Sequence, residues 1–336
     1  MGGLGASGPP LQWGAMSASS DESLRGDVLP APAPAGSAAP SAAHAWWLAA
    51  RPYTLTVTLS PVVAGCMLAW LQTGRLHGLL ALVTLLAAMC IQIGTNLLND
   101  VGDYEKGADQ PDRLGPPRAV ASGWLPAAAV RRAGFLAMGG AFLLGIVLAG
   151  VGGWPIVATG LLALVCGWAY TSGPRPIAYG PWGEVFVWCF FGLAAVGGTF
   201  WLQAGVPTAH VWWMGHAMGA FAAAVMLVNN TRDRATDVRA GKRTLAVRLG
   251  LPASRLLYAG AMLFPFVILP LIGPAATSPW MALPLVMLVP ALRQVTDVVR
   301  HAPGKGYNRV LARTGMVQLG FVLTWAAAQG LAGAAA

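Results

Sequence analysis

Of the 12 acidic residues in the chain, Asp21, Glu22 and Asp27 precede residue 45, and seven of the other nine fall in two short clusters. The first is Asp100, Asp103, Glu105, Asp109 and Asp112; the second is Asp233 and Asp237. If a helix continues through the first cluster, Asn96, Asn99, Asp100 and Asp103 recur at i, i+3, i+4 and i+7 and share one face. Two carboxylates and two amide oxygens on one face are hard donors suited to magnesium. Asp233 and Asp237 stand at i and i+4, just after Asn229 and Asn230. Paired carboxylates on a helix face repel by roughly a few tenths of a kcal/mol in water and by more beside a membrane. A divalent cation reverses that balance. Lys106, Arg113, Arg118, Lys242 and Arg243 are close by in sequence and supply the charge to hold a diphosphate. Acids, amides and bases together are the donor set of a magnesium–diphosphate site. The plainer reading, solvated loop charges, suits either cluster alone better than it suits two at equivalent helix ends. Gly241-Lys242 is not a phosphate loop, because Thr236 and Arg243 stand where that pattern needs glycine and Ser or Thr.

The elements that must carry these clusters are apolar. Charged residues make up 10% of the chain and hydrophobic residues 56%, against about 25% charged in an average soluble protein. Nine stretches from Trp46 onward are long enough to cross a bilayer: 47–72, 78–98, 132–151, 154–171, 184–203, 210–230, 254–273, 279–298 and 312–331. The expected architecture is an all-α polytopic membrane protein with nine transmembrane helices, kinked where Pro61, Pro265, Pro270, Pro284 and Pro290 fall inside spans. Both acid clusters then sit at the end of an even-numbered span.

The net charge of +9 does not point to nucleic acid, because the basic residues lie in short gaps between apolar runs. Gaps after spans one, three, five and seven hold a single basic residue, Arg75. Nearly all the others follow even spans, among them Lys106, Arg113, Arg118, Arg175, Arg232, Lys242, Arg243 and Lys305. Positive loops stay inside, so the N-terminus, the even gaps and both clusters are expected in the cytoplasm. Residues 1–44, rich in Ala, Pro, Gly and Ser, hold too little apolar bulk for a core and are expected to be a disordered tail without the pattern of a signal peptide. Residues 45–336 are expected to form the membrane domain. Cys66, Cys90, Cys166 and Cys189 lie in apolar runs and read as small hydrophobic residues. The five histidines show no ligand spacing.

From Arg51-Pro52 to about residue 331 the chain resembles the UbiA superfamily of intramembrane aromatic prenyltransferases. The resemblance rests on Asn96 to Asp109, Asp112 to Gly123, Tyr170 to Tyr179 and Asn229 to Gly250. The first acid motif carries two extra residues before its last Asp, Asp109. Within the superfamily these segments are most similar to the MenA-type 1,4-dihydroxy-2-naphthoate polyprenyltransferases. The resemblance implies nine helices around a central cavity with both acid motifs at its cytoplasmic mouth, in the bacterial inner membrane. It implies Mg2+ as cofactor, held by Asp100, Asp103, Asp233 and Asp237 as the catalytic acids, with Asn99, Asp109 and Asn229 as further metal donors. Asn96, Lys106, Arg118, Tyr170, Arg232, Lys242 and Arg243 are the implied substrate-binding residues. The partners are a polyprenyl diphosphate, an aromatic acceptor and the bilayer. Tyr104, Trp168 and Tyr170 are candidates to face the allylic cation, and Trp168, Tyr170, Trp182 and Trp188 to stack the acceptor. The implied reaction is transfer of the polyprenyl group to 1,4-dihydroxy-2-naphthoate with loss of carbon dioxide, in menaquinone biosynthesis. The alternative acceptors are of the 4-hydroxybenzoate or homogentisate class.

Two readings outside this chemistry remain open on sequence. A secondary transporter suits nine spans with acids after the second and sixth, although transporters place ionisable groups near the midplane. A membrane phosphotransferase also uses Asp-rich motifs, but its Asp-Gly and Ala-Arg pattern is missing.

Overall fold

The computed structural model describes residues 40–110, 112–273 and 278–334. The expected tail lies outside the described residues up to position 39, and its last residues already belong to the first turn of a helix. Among the described residues the protein is all-helical. Helix α1 (Ala42–Ala50) and α2 (Leu55–Thr73) form one apolar stretch broken at Arg51-Pro52. Proline disfavours helical backbone at the residue before it, and Arg51 turns into the left-handed region at φ 55, ψ 62 to end α1. It is the one non-glycine residue with positive φ among those described. Then follow α3 (Gly78–Glu105), α4 (Ala127–Gly152) and α5 (Trp154–Ala169). Next, α6 (Gly183–Trp188) and α7 (Ala195–Ala204) are joined through one wide π-helical turn into a single span. The chain ends with α8 (Ala209–Arg239), α9 (Leu245–Val267), α10 (Leu288–Arg300), which a 3-10 segment Pro279–Met287 precedes, and α11 (Tyr307–Ala334).

Eight of these units are long and apolar enough to cross a membrane, and α5, with 16 residues, is a shorter ninth apolar helix. Each expected span therefore has its helix, and the chain is a multi-pass membrane protein. The limits differ where they matter. The second expected span stops at 98 and the sixth at 230, whereas α3 runs to Glu105 and α8 to Arg239. Hydropathy ends where the polar residues begin, but the helical hydrogen bonding does not, so both acid clusters start on rigid backbone.

Helix α8 is the axis of the bundle. Its neighbours are α2, α6–α7, α9 and α11, and most of its length is buried. Phe221 of α8, Phe266 of α9 and Phe321 of α11 meet edge to face with centroids 5.4–6.1 Å apart, a geometry that stabilises by about 0.5–1.5 kcal/mol per pair beyond burial. On the other side, a Cβ at Gly219 would come within 2.6 Å of the Trp188 carbonyl, so this glycine lets α8 approach α6 closely. The outer faces of α4 and α5 expose Phe135, Leu136, Leu143, Leu161 and Leu162, as a lipid-facing surface does. Between α2, α3, α4, α5, α6–α7 and α8 lies a cavity of about 660 Å³.

Candidate active site

The cavity has a polar end and an apolar end. The C-terminal turns of α3 and α8 bring Asn96, Asn99, Asp100 and Asp103 to its wall opposite Asn229, Asn230, Asp233 and Asp237. The i, i+3, i+4 spacing does what helical geometry requires. Burial is the surprise: Asp100 and Asp103 are each 2% exposed, Asp233 5% and Asp237 7%. Solvated loop charges do not look like this, since buried charge is costly unless paired.

Pairing comes mostly from elsewhere in the chain. The segment after α3 folds back over the mouth and supplies Arg113, Pro116, Pro117 and Arg118 to the cavity wall. Arg118 Nη2 donates to Asp103 Oδ2 at 2.9 Å, and its Nε lies 3.6 Å from Asp109. Arg113 Nη1 donates to Asp109 at 2.8 Å, and the Ala119 amide donates to Asp100 Oδ2 at 3.0 Å. Lys242 Nζ bridges the clusters, 3.1 Å from Asp103 and 3.9 Å from Asp237. Tyr179 donates its hydroxyl to Asp103 at 3.2 Å, and its ring lies 4.8 Å beneath Lys242 Nζ. Burial, then the adjacent Asp103, pushes the Tyr179 hydroxyl well above its usual range, so it stays a donor at neutral pH. Within the second cluster Arg232 donates to both oxygens of Asp233, at 2.8 and 2.6 Å, and to Asn229 Oδ1 at 2.9 Å.

Several polar atoms remain unmatched. Asn99 Oδ1, Asp100 Oδ1 and Asp109 Oδ2 are buried acceptors without a donor. Arg51 Nη2, Arg113 Nε and Arg118 Nη1 are buried donors without an acceptor. Unmatched buried groups are expensive. A cation at the acceptors and a polyanion at the donors would satisfy both sets. Burial pushes the Asp109 carboxyl up to about 7 against the pull of Arg113, and Asp103 and Asp100 add to the rise. Crowded carboxylates of that kind suit a divalent ion. Among the described residues no three Asp, Glu, His or Cys side chains converge as ligands of one ion, because the acids are turned toward Arg and Lys. The oxygen-only donor set itself fits magnesium.

Other expected residues go elsewhere. Lys106 is exposed and donates to the Thr171 carbonyl at 2.6 Å; Arg243 is exposed and touches the site only through its backbone N–H on the Tyr179 carbonyl at 2.8 Å. Asn96 is on the wall, but its amide donates to the Ala50 carbonyl at 3.0 Å and to Thr54. Tyr170 lines the cavity, whereas Tyr104, Trp168, Trp182 and Trp188 do not. The expectation of a tryptophan wall is corrected: Trp168 and Trp182 face outward, as interfacial tryptophans do, and Trp188 packs on His216 and Phe264. Phe186, Phe190 and Phe191 line the cavity instead, with Tyr53. The sequence reading also missed Arg51 as a wall residue and the buried Glu184, which accepts from Asn230 at 2.9 Å. The break at Arg51-Pro52 was the signal for the first; Glu184 offered only its isolation in an apolar run. Away from the mouth the cavity runs between α4, α5 and α7, and two of its lining residues, Phe142 and Ile146, are about half exposed on the lipid-facing side.

The chain and its fold have known relatives. The pattern of the UbiA prenyltransferase family matches residues 58–307. The 1,4-dihydroxy-2-naphthoate octaprenyltransferase of Mycobacterium tuberculosis is 37% identical over 292 residues, 84% of this chain and 96% of that protein. The Escherichia coli protein of the same name is 33% identical over 281 residues, 82% of this chain and 91% of that one. Among solved structures, a UbiA homolog from Archaeoglobus fulgidus bound to DMAPP and Mg2+ superposes with a TM-score of 0.61 at 15% identity, covering 85% of this chain and 99% of that one.

Proposed function

The chain belongs to the UbiA prenyltransferase family, and from that premise we propose the reaction, the acceptor and the residues that carry it. The enzyme transfers a polyprenyl group from a polyprenyl diphosphate to 1,4-dihydroxy-2-naphthoate, with decarboxylation, in menaquinone biosynthesis. The names of relatives 33–37% identical over most of the chain support this acceptor. One observation carries the chemistry: two apposed acid clusters at the polar mouth of a long apolar cavity. The mouth suits a diphosphate and the interior suits an isoprenoid.

In this reading Asp100, Asp103, Asp233 and Asp237, with Asn99, Asp109 and Asn229, would hold magnesium, which when bound would supply the positive charge that neutralises a diphosphate leaving group. Arg118, Arg113 and Lys242 bind diphosphate oxygens as the allylic C–O bond breaks. Tyr170 and the phenylalanines of α6 and the π turn offer ring faces to the carbocation and exclude water from it. Arg51, whose Nη2 has no partner, takes the acceptor carboxylate. Arg232 is less suited to that task, because it is committed to Asp233, Asn229 and Asn308. A bond forms between the prenyl C1 and the ring carbon bearing the carboxylate. The bond to that carboxylate breaks, carbon dioxide leaves, and its electron pair restores the aromatic ring.

We assign the protein to a bacterial inner membrane, and the sorting of basic residues between even and odd gaps supports a mouth facing the cytoplasm. Residues 45–336 act as one membrane domain. The test supplies purified protein with magnesium, octaprenyl diphosphate and either the naphthoate or 4-hydroxybenzoate. Carbon dioxide and a prenylated naphthoquinol are expected. Prenylated 4-hydroxybenzoate with its carboxylate retained, and no reaction of the naphthoate, would overturn the acceptor.

A further inference from the structure

Asn308, in the first turn of α11, belongs to neither acid cluster and does not touch the cavity. Its side chain nevertheless joins two parts of the mouth. Asn308 Oδ1 accepts from Arg232 Nη1 at 2.6 Å, and Asn308 Nδ2 donates to the Leu114 carbonyl at 3.0 Å. Only this orientation of the amide works, since the flipped one would set donor against donor and oxygen against oxygen. Arg232 is the residue that clamps Asp233 and Asn229 on α8. Leu114 is in the middle of the strap Asp112–Arg118, the segment that carries Arg113 and Arg118 into the cavity.

The strap rests directly on Arg232. A Cβ at Gly115 would come within 2.8 Å of Arg232 Nη2 and 3.1 Å of Arg113 Nη2. Its other fastenings are of different kinds. Asp112 pairs with Arg239, but both side chains are more than half exposed, and such pairs hold weakly. Arg118 and Arg113 reach Asp103 and Asp109, the groups from which a bound diphosphate would draw them. The contact through Asn308 involves neither arginine, and apart from the exposed Asp112 pair it is the fastening that remains when they turn to substrate.

We propose that Asn308 is a positioning residue: it latches the strap onto α8 and so presets Arg113 and Arg118 for the diphosphate, without bearing on the acceptor. The inference rests on the diphosphate reading of the mouth. The test uses the full-length protein with octaprenyl diphosphate and 1,4-dihydroxy-2-naphthoate. Asn308→Asp keeps an acceptor for Arg232 but has no donor for Leu114; Asn308→Ala loses both contacts. Each is expected to raise KM for octaprenyl diphosphate about tenfold, the effect of misplacing one arginine hydrogen bond to the diphosphate once the strap is no longer tied at Leu114. KM for the naphthoate should stay unchanged, and amide exchange across residues 112–118 should accelerate. A general loss of structure would instead move both KM values and kcat together. Should Asn308→Ala fail to fold, Gly115→Ala carries the test, because it pushes the strap off Arg232 with Asn308 intact and should give the same signature. A normal octaprenyl diphosphate KM in Asn308→Asp and Gly115→Ala, or unchanged exchange in the strap, overturns the inference. Arg118→Ala separates the two ideas. If it raises that KM and Asn308→Asp does not, the latch alone falls; if neither does, the diphosphate reading falls with it.

Discussion

In the proposed reaction the two acid clusters share one task, and they stand on different foundations. Asp233 is held by Arg232, its neighbour on the same helix, and neither Asp233 nor Asp237 is among the buried groups left without a partner. Asp100 and Asp103 are held from a distance, by Ala119, Arg118, Tyr179 and Lys242, while Asp109 pairs with Arg113 four residues on; Asp100 and Asp109 each keep an unmatched oxygen. The second cluster is therefore largely built by one helix, whereas the first is assembled by a returning strap together with Tyr179 and Lys242. The lesson is that similar motifs differ in what they depend on, and the first should be the more sensitive to changes far from it.

The largest effects should come from the acids themselves. Asp103→Ala and Asp237→Ala are each expected to lower turnover by about 10²- to 10³-fold, the scale at which a lost group in charge stabilisation is felt. Asp103 should be the worse, because three donors from elsewhere in the chain, Arg118, Tyr179 and Lys242, lose their acceptor. Near-normal magnesium-dependent turnover in both variants would reduce the clusters to paired surface charge. Chelation of divalent ions should abolish turnover reversibly, with the helical circular dichroism unchanged; activity that persists in excess chelator would remove the metal from both clusters. Arg118→Ala should raise KM for octaprenyl diphosphate about 10- to 100-fold, from the loss of charge-assisted hydrogen bonds. Arg118→Lys should rescue it only partly, because lysine lacks the planar fork. Tyr179→Phe removes the hydroxyl from Asp103 and keeps the ring under Lys242. A loss of about 2- to 10-fold in kcat/KM is expected, and a loss as large as that of Asp103→Ala would make Tyr179 more than a support. The smallest effect belongs to the exposed pair at the edge of the strap. The hydrogen bond from Arg239 holds the Asp112 carboxyl below the ordinary carboxylate range, yet Asp112→Asn should change kcat/KM less than about twofold, as for surface pairs in general.

The sequence made some of this legible and hid the rest for definite reasons. Asp100, Asp103, Asp233 and Asp237 were readable because helix spacing is local: residues three and four apart share a face whatever surrounds them. Arg118 and Lys242 were readable by proximity to the motifs. Lys106 and Arg243 were equally near in sequence but are turned to the Thr171 carbonyl and to solvent. Tyr179 is 76 residues from Asp103, and Asn308 is 194 from Leu114. Contacts at that separation leave no periodic trace. The aromatic lining went wrong for a related reason. A tryptophan in a span is apolar whether it faces the cavity, the interface or a neighbouring helix, and only the rotation of the helix decides among them.

The sequence by itself determined the apolar spans, the sorting of basic residues to one side, the acid spacing and hence the class of chemistry. These are properties of short stretches, set by hydropathy and by the 3.6-residue turn. The tertiary structure decided how deeply the acids are buried, which cations answer them, where the cavity runs and which aromatic rings line it. Those depend on the rotation and closure of helices far apart in the chain, where packing and the need to pair buried charge select one arrangement from the many that the local pattern allows.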